Sequence, residues 1–495
     1  MNIASLLSEN AKAFRANPAV SEAGGSVSYD AFMRRTGTIA ANFHAAGLRP
    51  GDRVALCMHN CAEYLEVLFA CWTAGLCAVP MNAKLHPREV EQIVADSGAK
   101  LLFATDDLVE SLAPLERSLA GLRIVCVGTD GYARLLKGEA IAPVAAAATD
   151  PAWIFYTSGT TGRSKGAVLS HRVLLFMSMA YYADIDSVGP TDSKLHVSPL
   201  SHGSGLFAIP HMLRGSHQVV LDGFEPQSLV DTINAHRNIS MFMVPTILSR
   251  VVNTGLHAEM KTGNLRTIYY GGAPMYVSDL KRAVEIFPGK LYHLFGQGES
   301  PMTITGLAKD AHAADVLETC GTPRTGVRVR VVDDEGRDLP AGEVGEVITT
   351  SDCVMTGYWG NEAATAAALK DGWLHTGDLG SMDERGYLTL KDRSKDLIIS
   401  GGSNIYPREI EEILLSHPDI VEASVIGRPH ADWGEEVVAF VVKRAGSDVG
   451  PAALDALCLA NIARFKRPKQ YRFLDALPKS DYGKILKKKL REIAD

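Results

Sequence analysis

Cysteine is sparse in this chain and never stands in a metal-binding or redox-cycling pattern. The 8 cysteines, Cys57, Cys61, Cys71, Cys77, Cys126, Cys320, Cys353 and Cys458, include no Cys-x-x-Cys, which argues against a structural zinc or a redox pair. Buried free thiols in a reducing compartment are expected. No apolar run approaches the roughly 20 residues of a membrane span. Residues 1–17 have the spacing of an amphipathic helix and lack a signal-peptide pattern, so a soluble, cytoplasmic protein is expected. An excess of positive charge is also missing: 50 Lys and Arg against 57 Asp and Glu give a net charge of −7. That leaves no electrostatic footprint for nucleic acid or an anionic membrane. The short basic run Lys487–Lys489 with Arg491 reads as a solvated helix face. There are no internal repeats and no low-complexity linker, Ala140–Ala148 being the nearest approach to one.

What is present is ordinary globular composition, 46% hydrophobic and 22% charged, over 495 residues. That length implies about two to four domains. Helical and strand patterns alternate from residue 26 onward, as α/β layering requires. Helices are read at Tyr29–Ala46 and Ala62–Ala74, each followed by glycine. Strands are read at 52–58, 77–80, 101–104, 124–127 and 152–156, then at 219–221, 241–244 and 267–270. From 321 to 395 short strands at 327–332, 345–350 and 387–390 alternate with Gly-rich turns, as in a small β module. A last block holds a helix at 410–415, strands at 423–426 and 437–442, and helices at 451–462 and 484–493. It is long enough to form an α+β domain of its own.

The densest chemical signal follows the strand at 152–156: Thr157-Ser158-Gly159-Thr160-Thr161-Gly162-Arg163-Ser164-Lys165-Gly166. Glycines admit backbone N–H groups to phosphate oxygens, hydroxyls add donors, and lysine adds a mobile cation. The order is not that of a Walker loop, in which Gly-Lys-Ser/Thr closes the turn. Further segments accompany it. Tyr270-Gly271-Gly272-Ala273-Pro274 follows a strand and allows close approach to a flat ligand. Phe295-Gly296-Gln297-Gly298-Glu299 repeats that design and ends in a carboxylate. His375-Thr376-Gly377-Asp378 places an acid after a turn. Asp392–Asp396 is a charged pivot, and Pro478–Lys484 sets a lysine on a turn. Taken singly, Glu299 also reads as a solvated loop acid, Asp378 as a turn brace, Arg393 and Lys395 as a surface charge run, and Lys484 as the start of a basic helix.

In this order, from about Tyr29 to Lys484, the segments resemble the adenylate-forming superfamily, in its acyl-CoA synthetase and 4-coumarate:CoA ligase-like branch. The resemblance implies an α/β fold. A large N-terminal domain over residues 1–394, two α/β subdomains plus a β-barrel-like module, would carry a small mobile α+β domain over 395–495. It implies a two-step ligase: a carboxylate attacks the α-phosphate of ATP, pyrophosphate leaves, and a thiol displaces AMP. It implies that Thr157, Ser158, Gly159, Thr160, Thr161, Gly162 and Lys165 hold the β- and γ-phosphates, and that Gly272, Ala273 and Pro274 flank adenine. Phe295 would stack on adenine where the family usually has tyrosine, followed by Gly296 and Gln297. Glu299, with Thr157, would hold Mg²⁺. Asp378 would accept from the ribose hydroxyls, assisted by Arg393. Lys484 would bridge the carboxylate and the α-phosphate. Lys395 would be the hinge, and Gly401 and Gly402 would be presented beside the pantetheine tunnel after rotation. Gly298 departs from the pattern, which has threonine there; Ser300 is a nearby donor that could compensate.

The segment Ser198–Leu206 matches the acyl pocket, with His202 as its gate beside the carboxylate; a satisfied structural histidine is the plainer reading. Amino-acid-activating relatives carry an aspartate where this chain has Gly203, so amino acids are disfavoured. Ser204, Val244, Pro245, Tyr270, Gln297, Met302 and Thr303 are the other pocket candidates, Ser204 and the glycines leaving room. No arginine in the segment pairs a second carboxylate, which weighs against a dicarboxylate. A medium-chain or aryl/alicyclic acid is expected, with a small hydroxy acid open. Free coenzyme A is the expected acceptor, since the chain ends at Asp495 without a fused carrier domain. A fatty acyl-AMP ligase or adenylation enzyme loading a separate carrier protein stays open, as does a catalytically silent nucleotide-binding relative. A homodimer is compatible with the sequence. Acetylation of Lys484 would remove its charge.

Overall fold

A computed structural model describes residues 2–22, 25–157, 164–273, 275–313, 315–393, 396–400, 403–430, 433–480 and 484–494. Four sheets order the chain, a large N-terminal domain of three and a small C-terminal domain of one. The first contains nine strands, in the order Thr322–Pro323, Ser300–Leu307, Leu291–Gln297, Leu265–Gly271, Ile239–Met243, Ser193–His196, His217–Val220, Pro18–Glu22 and Gly25–Ser28. Its middle strands are parallel and its margins antiparallel. The second has six strands, Arg123–Cys126, Leu101–Ala104, Arg53–Cys57, Cys77–Met81, Pro151–Thr157 and Lys165–Ser170, parallel except for the last pair. Near-continuous apolar runs such as Leu101–Ala104 belong in such sheets because helices cover both faces.

The third sheet is the β module: Arg328–Val332, Gly345–Thr350, Trp373–Met382 and Leu369–Lys370, with Leu388–Arg393 added to Trp373–Met382. The fourth joins Ser403–Ile405, Ile398–Ser400, Gly434–Lys443, Ile420–His430 and Gln470–Phe473. The helix Pro407–Leu415 lies against the N-terminal domain, where the Val277 backbone N–H donates to the Glu412 carboxylate.

Two helices differ from their expected extent. The first ends at Asn10 with one 3-10 turn beyond it, and Pro18 opens the strand that follows. The last spans Lys487–Ala494, so Lys484 precedes it. The basic run is partly paired rather than solvated: Lys487 meets Glu411 at 3.1 Å and Arg491 meets Asp396 at 2.8 Å. Residues 140–148 are a strap over the helices Tyr29–Ala45 and Ala62–Thr73, with Ile141 N bonded to Gly37 O and Val144 N to Thr73 O. All eight cysteines are free thiols. Among the described residues no helix is long and apolar enough to cross a membrane.

Five histidines, His171, His196, His202, His211 and His293, are held neutral by burial. His171 is pushed down to about 4, His202 and His293 to about 3, and His196 and His211 well below the usual range, with Lys194 adding to the effect of burial. An unfolded histidine titrates near 6.5. Below that pH the unfolded chain binds protons that the native chain does not, so stability falls as pH drops. At pH 5 the loss approaches about 2 kcal/mol per ring. The melting temperature should therefore fall steadily from pH 7 to pH 5, which a pH series of thermal melts checks. A flat profile over that range would mean that these rings are solvated.

Candidate active site

The antiparallel hairpin Pro151–Thr157/Lys165–Ser170 pairs Thr157 with Lys165 in register, so the two residues that flank the Gly/Ser/Thr segment stand side by side. Ser158, Gly159, Thr160, Thr161, Gly162, Pro274, Lys395, Gly401 and Gly402 lie outside the described residues, as does the side chain of Arg393. Glu299 stands across from the hairpin, only 9% exposed. One of its oxygens, Oε1, accepts from Thr157 Oγ1 at 3.1 Å and from the Tyr358 hydroxyl at 2.7 Å. Lys165 Nζ lies 5.3 Å from the centre of the Tyr358 ring. Burial, reinforced by Glu299, pushes the Tyr358 phenol well above its usual range, so it remains a donor.

Residues 355–359 bind these parts together through backbone. Met355 N donates to Glu299 O at 2.7 Å, Val168 N to Gly357 O at 2.9 Å, and Trp359 N to Gly166 O at 2.7 Å. Sequence reasoning missed Tyr358 because its role arises from this pairing, which no local pattern announces.

On the other side of the same turn, Gln297 Nε2 donates to Asp378 Oδ2 at 2.6 Å and to Thr376 O at 2.9 Å. Asp378 is buried, and its backbone pairs with Arg393 across two strands. Glu346, also missed, holds the turn before Asp378: one oxygen meets His375 Nδ1 at 2.7 Å and the other accepts from Gly377 N at 3.1 Å. Gly272 has φ +84°, a conformation that favours glycine. A Cβ on Gly271 would lie 2.1 Å from Leu294 O, so the two strands approach there because no side chain intervenes. Ala273 follows in the same bend. Phe295 is 8% exposed and packs with Ile304, Cys320, Val347 and Leu388.

Gly298 has an explanation in space. A Cβ there would fall 2.5 Å from Thr157 Cγ2 and 2.7 Å from Phe155 Cδ1. The Phe155 ring fills what a larger residue at 298 would need. It also meets His202 edge-on, with ring centres 4.9 Å apart. His202 in turn shares a 2.8 Å hydrogen bond with Ser201 through Nδ1. Ser300 is fully buried and bonded to Thr303 at 3.0 Å, so its hydroxyl is committed away from the turn.

The residues expected to line an acyl pocket divide by strand alternation. On Leu265–Gly271 the side chain facing the Ser198–Leu206 segment is Tyr269. Tyr270 points into the opposite core, its hydroxyl 3.2 Å from His312 Nε2. On Ile239–Met243 the corresponding residue is Phe242, with Val244 just beyond. A Cβ on Gly203 would lie 3.0 Å from Met302 Sδ and 3.3 Å from the Phe242 ring. Gly203, Met302 and Phe242 are therefore together. Met302 holds φ 56° beside Gly296, whose own Cβ would strike Met302 N at 2.3 Å. Ser204 and Thr303 are not on this surface. Both are fully buried, and the Ser204 hydroxyl meets His196 Nδ1 at 2.8 Å. The glycines do not make room either: a Cβ on Gly205 would meet Leu200 O at 1.9 Å. Pro245 opens the helix Pro245–Asn253 and is buried. Lys484 is exposed, its backbone closed in a turn with Ser480 N donating to Lys484 O at 2.7 Å.

Comparison with known proteins identifies the family. Residues 7–359 match the family model described as AMP-binding enzyme, and residues 409–484 match the AMP-binding enzyme C-terminal domain. A fatty acid–[acyl-carrier-protein] ligase, ScoC of Streptomyces coeruleorubidus, is 36% identical over 96% of this chain and 93% of its own. A feruloyl-CoA synthase of an Amycolatopsis species is 35% identical over 96% and 95%. The crystal structure of ATP-bound MatB from Rhodopseudomonas palustris superposes with a TM-score of 0.91 at 31% identity, covering 100% of this chain and 99% of that one. With one model spanning most of the large domain, a second lying in the small one, and relatives aligned over nearly their full length, the chain belongs to the AMP-binding enzyme family.

Proposed function

We propose that the chain is an AMP-forming carboxylic acid:CoA ligase. The observation that carries this reading is the Glu299 carboxylate, shared by Thr157 and Tyr358 at the mouth of the phosphate hairpin. Relatives named as CoA ligases support it. In the first step a carboxylate oxygen attacks the α-phosphorus of ATP and pyrophosphate leaves. In the second a thiolate attacks the acyl carbon and AMP leaves. A carboxylate is a poor electrophile, so the chemistry depends on positioning and on neutralising phosphate charge. Lys165 meets the phosphates, Asp378 the ribose, and Lys484 the charge that moves between carboxylate and α-phosphate. Neutral His202 can hydrogen-bond to the substrate carboxylate without pairing to it as a cation. Glu299 and Thr157 present hard oxygen donors, which suit the Mg²⁺ that accompanies ATP. Mg²⁺ bound there would neutralise phosphate charge. We place the domain boundary at 394/395, with Lys395 as hinge and Gly401 and Gly402 on the face turned toward the thiol in the second step.

Gly203 supports exclusion of amino acids as substrates, since the space above it is taken by Met302 and Phe242. An aryl or medium-chain acid remains the favoured class, bounded by Phe242 and Tyr269. A second reading keeps the first step and changes the acceptor to a carrier-protein thiol. The 36% identity to a fatty acid–[acyl-carrier-protein] ligase favours it.

Pyrophosphate release across a panel of carboxylic acids, with ATP and Mg²⁺, tests the reading. Release that depends on the acid, with AMP and thioester formed on addition of coenzyme A, is expected. Thioester formed only on a carrier protein would favour the second reading, and release independent of any acid would overturn both. Lys484→Ala should abolish adenylate formation while sparing thioester formation from supplied acyl-AMP. Equal loss of both half-reactions would contradict the role given to Lys484.

Gly298 yields a separate expectation. Gly298→Thr should lower kcat/KM for adenylation about tenfold or more, because its Cβ displaces Thr157 and Phe155. Adding Phe155→Ala should recover part of the loss. A gain from Gly298→Thr alone would show that the missing hydroxyl matters more than the space.

A further inference from the structure

Beneath the Gly203–Met302–Phe242 surface lies a polar layer that the proposed ligase chemistry does not use. Parallel pairing sets Gln218, Lys194, Ser240 and Thr267 side by side across four strands, on the face that carries Phe242 and Tyr269. Lys194 is 0% exposed. Its Nζ lies 4.8 Å from the centre of the Tyr269 ring and reaches the Leu195 carbonyl at 3.4 Å. That contact turns the amine toward the C-terminal end of its strand, where the acyl segment begins. Among the described residues no carboxylate is within ion-pair distance of it. The nearby acids are already engaged: Asp186 with Lys309, Arg266 and Thr267, and Asp192 with Arg266. His196 and His211 flank the layer, His196 bonded to Ser204 and Gln218, His211 to Ser216 and Tyr181.

Two hydroxyls complete the cluster. Ser240 Oγ and Tyr269 Oη are buried and complete no hydrogen bond, although both lie near the Tyr181 hydroxyl. A buried lysine with one long backbone contact, beside two unsatisfied hydroxyls, is costly unless something polar meets it. Burial also holds the amine well below the usual lysine range, so a ligand bringing an acidic oxygen can also supply the proton and the counter-charge.

The layer is within reach of the pocket. The Tyr269 ring is near both groups, 4.8 Å from Lys194 Nζ and 6.1 Å from the centre of the Phe242 ring. The Phe242 ring edge is what a side chain at Gly203 would touch. Ser240, level with Lys194, is four residues below Val244, or about 13 Å at the rise of a strand. The upward turn of Nζ shortens that span to about 10 Å. We propose that Lys194, with Ser240 and Tyr269, forms a subsite for a second acidic oxygen at the far end of the acyl substrate. This inference rests on reading the Gly203–Met302–Phe242 surface as the acyl pocket. The substrate is then an acid bearing a carboxylate or a phenol about 10 Å from the carboxyl that reacts. An eight-carbon diacid and a 4-hydroxycinnamate both have that span, and both offer the same acidic oxygen.

Two matched pairs separate these sources: suberic against octanoic acid, and 4-hydroxycinnamic against cinnamic acid. Pyrophosphate release is measured for each with the wild-type chain and with Lys194→Met, whose apolar side chain suits a buried site; a thermal melt checks its fold. In at least one pair the wild type should favour the member with the remote acid by tenfold or more in kcat/KM. In Lys194→Met that ratio should collapse to within about twofold of one, with the change in KM. A ratio unchanged by Lys194→Met, or no wild-type preference in either pair, would overturn the subsite. Titration calorimetry with the same acids, without ATP, reads binding apart from turnover. Tighter binding of the remote acid to wild type than to Lys194→Met, in a chain that releases no pyrophosphate, would overturn the ligase reading and sustain the subsite. Equal binding to both proteins would overturn the subsite whatever the ligase does.

Discussion

One carboxylate oxygen ties the site together. Glu299 Oε1 receives hydrogen bonds from Thr157 on the phosphate hairpin and from Tyr358 on the segment entering the β module. Hydrogen bonds to a charged group contribute about 1.5–3 kcal/mol each. Here their geometric effect matters more than their energy. They fix three stretches, far apart in sequence, to within one side chain of each other. The same turn continues through Gln297 to Asp378, so the two acids, Glu299 and Asp378, are set by one short segment. The Met355 N–H bonded to the Glu299 carbonyl closes the arrangement from the backbone side.

Much of the architecture was legible because apolar runs end at turn residues. The strand at 101–104 has the expected limits, and the helices at Tyr29 and Ala62 end beside glycines with φ of +89° and +71°. What could not be read is tertiary. Ser193–His196 contains a lysine and a histidine and gives no strand signal of its own; only its place between two other strands buries it. Tyr269 and Tyr270 are indistinguishable as neighbours in sequence. Which one faces the acyl segment depends on the phase of a period-two alternation, and that phase is set by the partner strands. Phe155, Glu346 and Tyr358 were missed for a related reason. Each acts through a residue more than 25 positions away.

Gly298 shows how a departure from a motif can be coherent in space. Read linearly, glycine in place of threonine is a lost hydroxyl. In the fold, the absent side chain matches the Phe155 ring and the Thr157 methyl, which together leave no volume for a Cβ. Phe155 also carries the edge contact to His202. The hairpin that carries Thr157, the Glu299 turn and His202 are thus packed on one ring, and a change at any of the three is felt by the others.

The polar layer around Lys194 is a different kind of departure. A parallel sheet covered by helices is most simply stabilised by branched apolar residues on both faces. On one face here lysine, glutamine, serine and threonine occupy paired positions on four adjacent strands, with two neutral histidines beside them. Replacing a buried polar network with apolar groups of the same shape is commonly neutral or stabilising. Stability alone therefore gives no reason for these residues. Ser204 and Gln218 are satisfied through His196, and His211 through Tyr181 and Ser216. Ser240 Oγ and Tyr269 Oη remain without a completed hydrogen bond, with Ser240 beside Lys194 in register and the Tyr269 ring against its amine. A layer that satisfies its outlying members and leaves at its centre a lysine with one long backbone contact is what the proposed subsite requires.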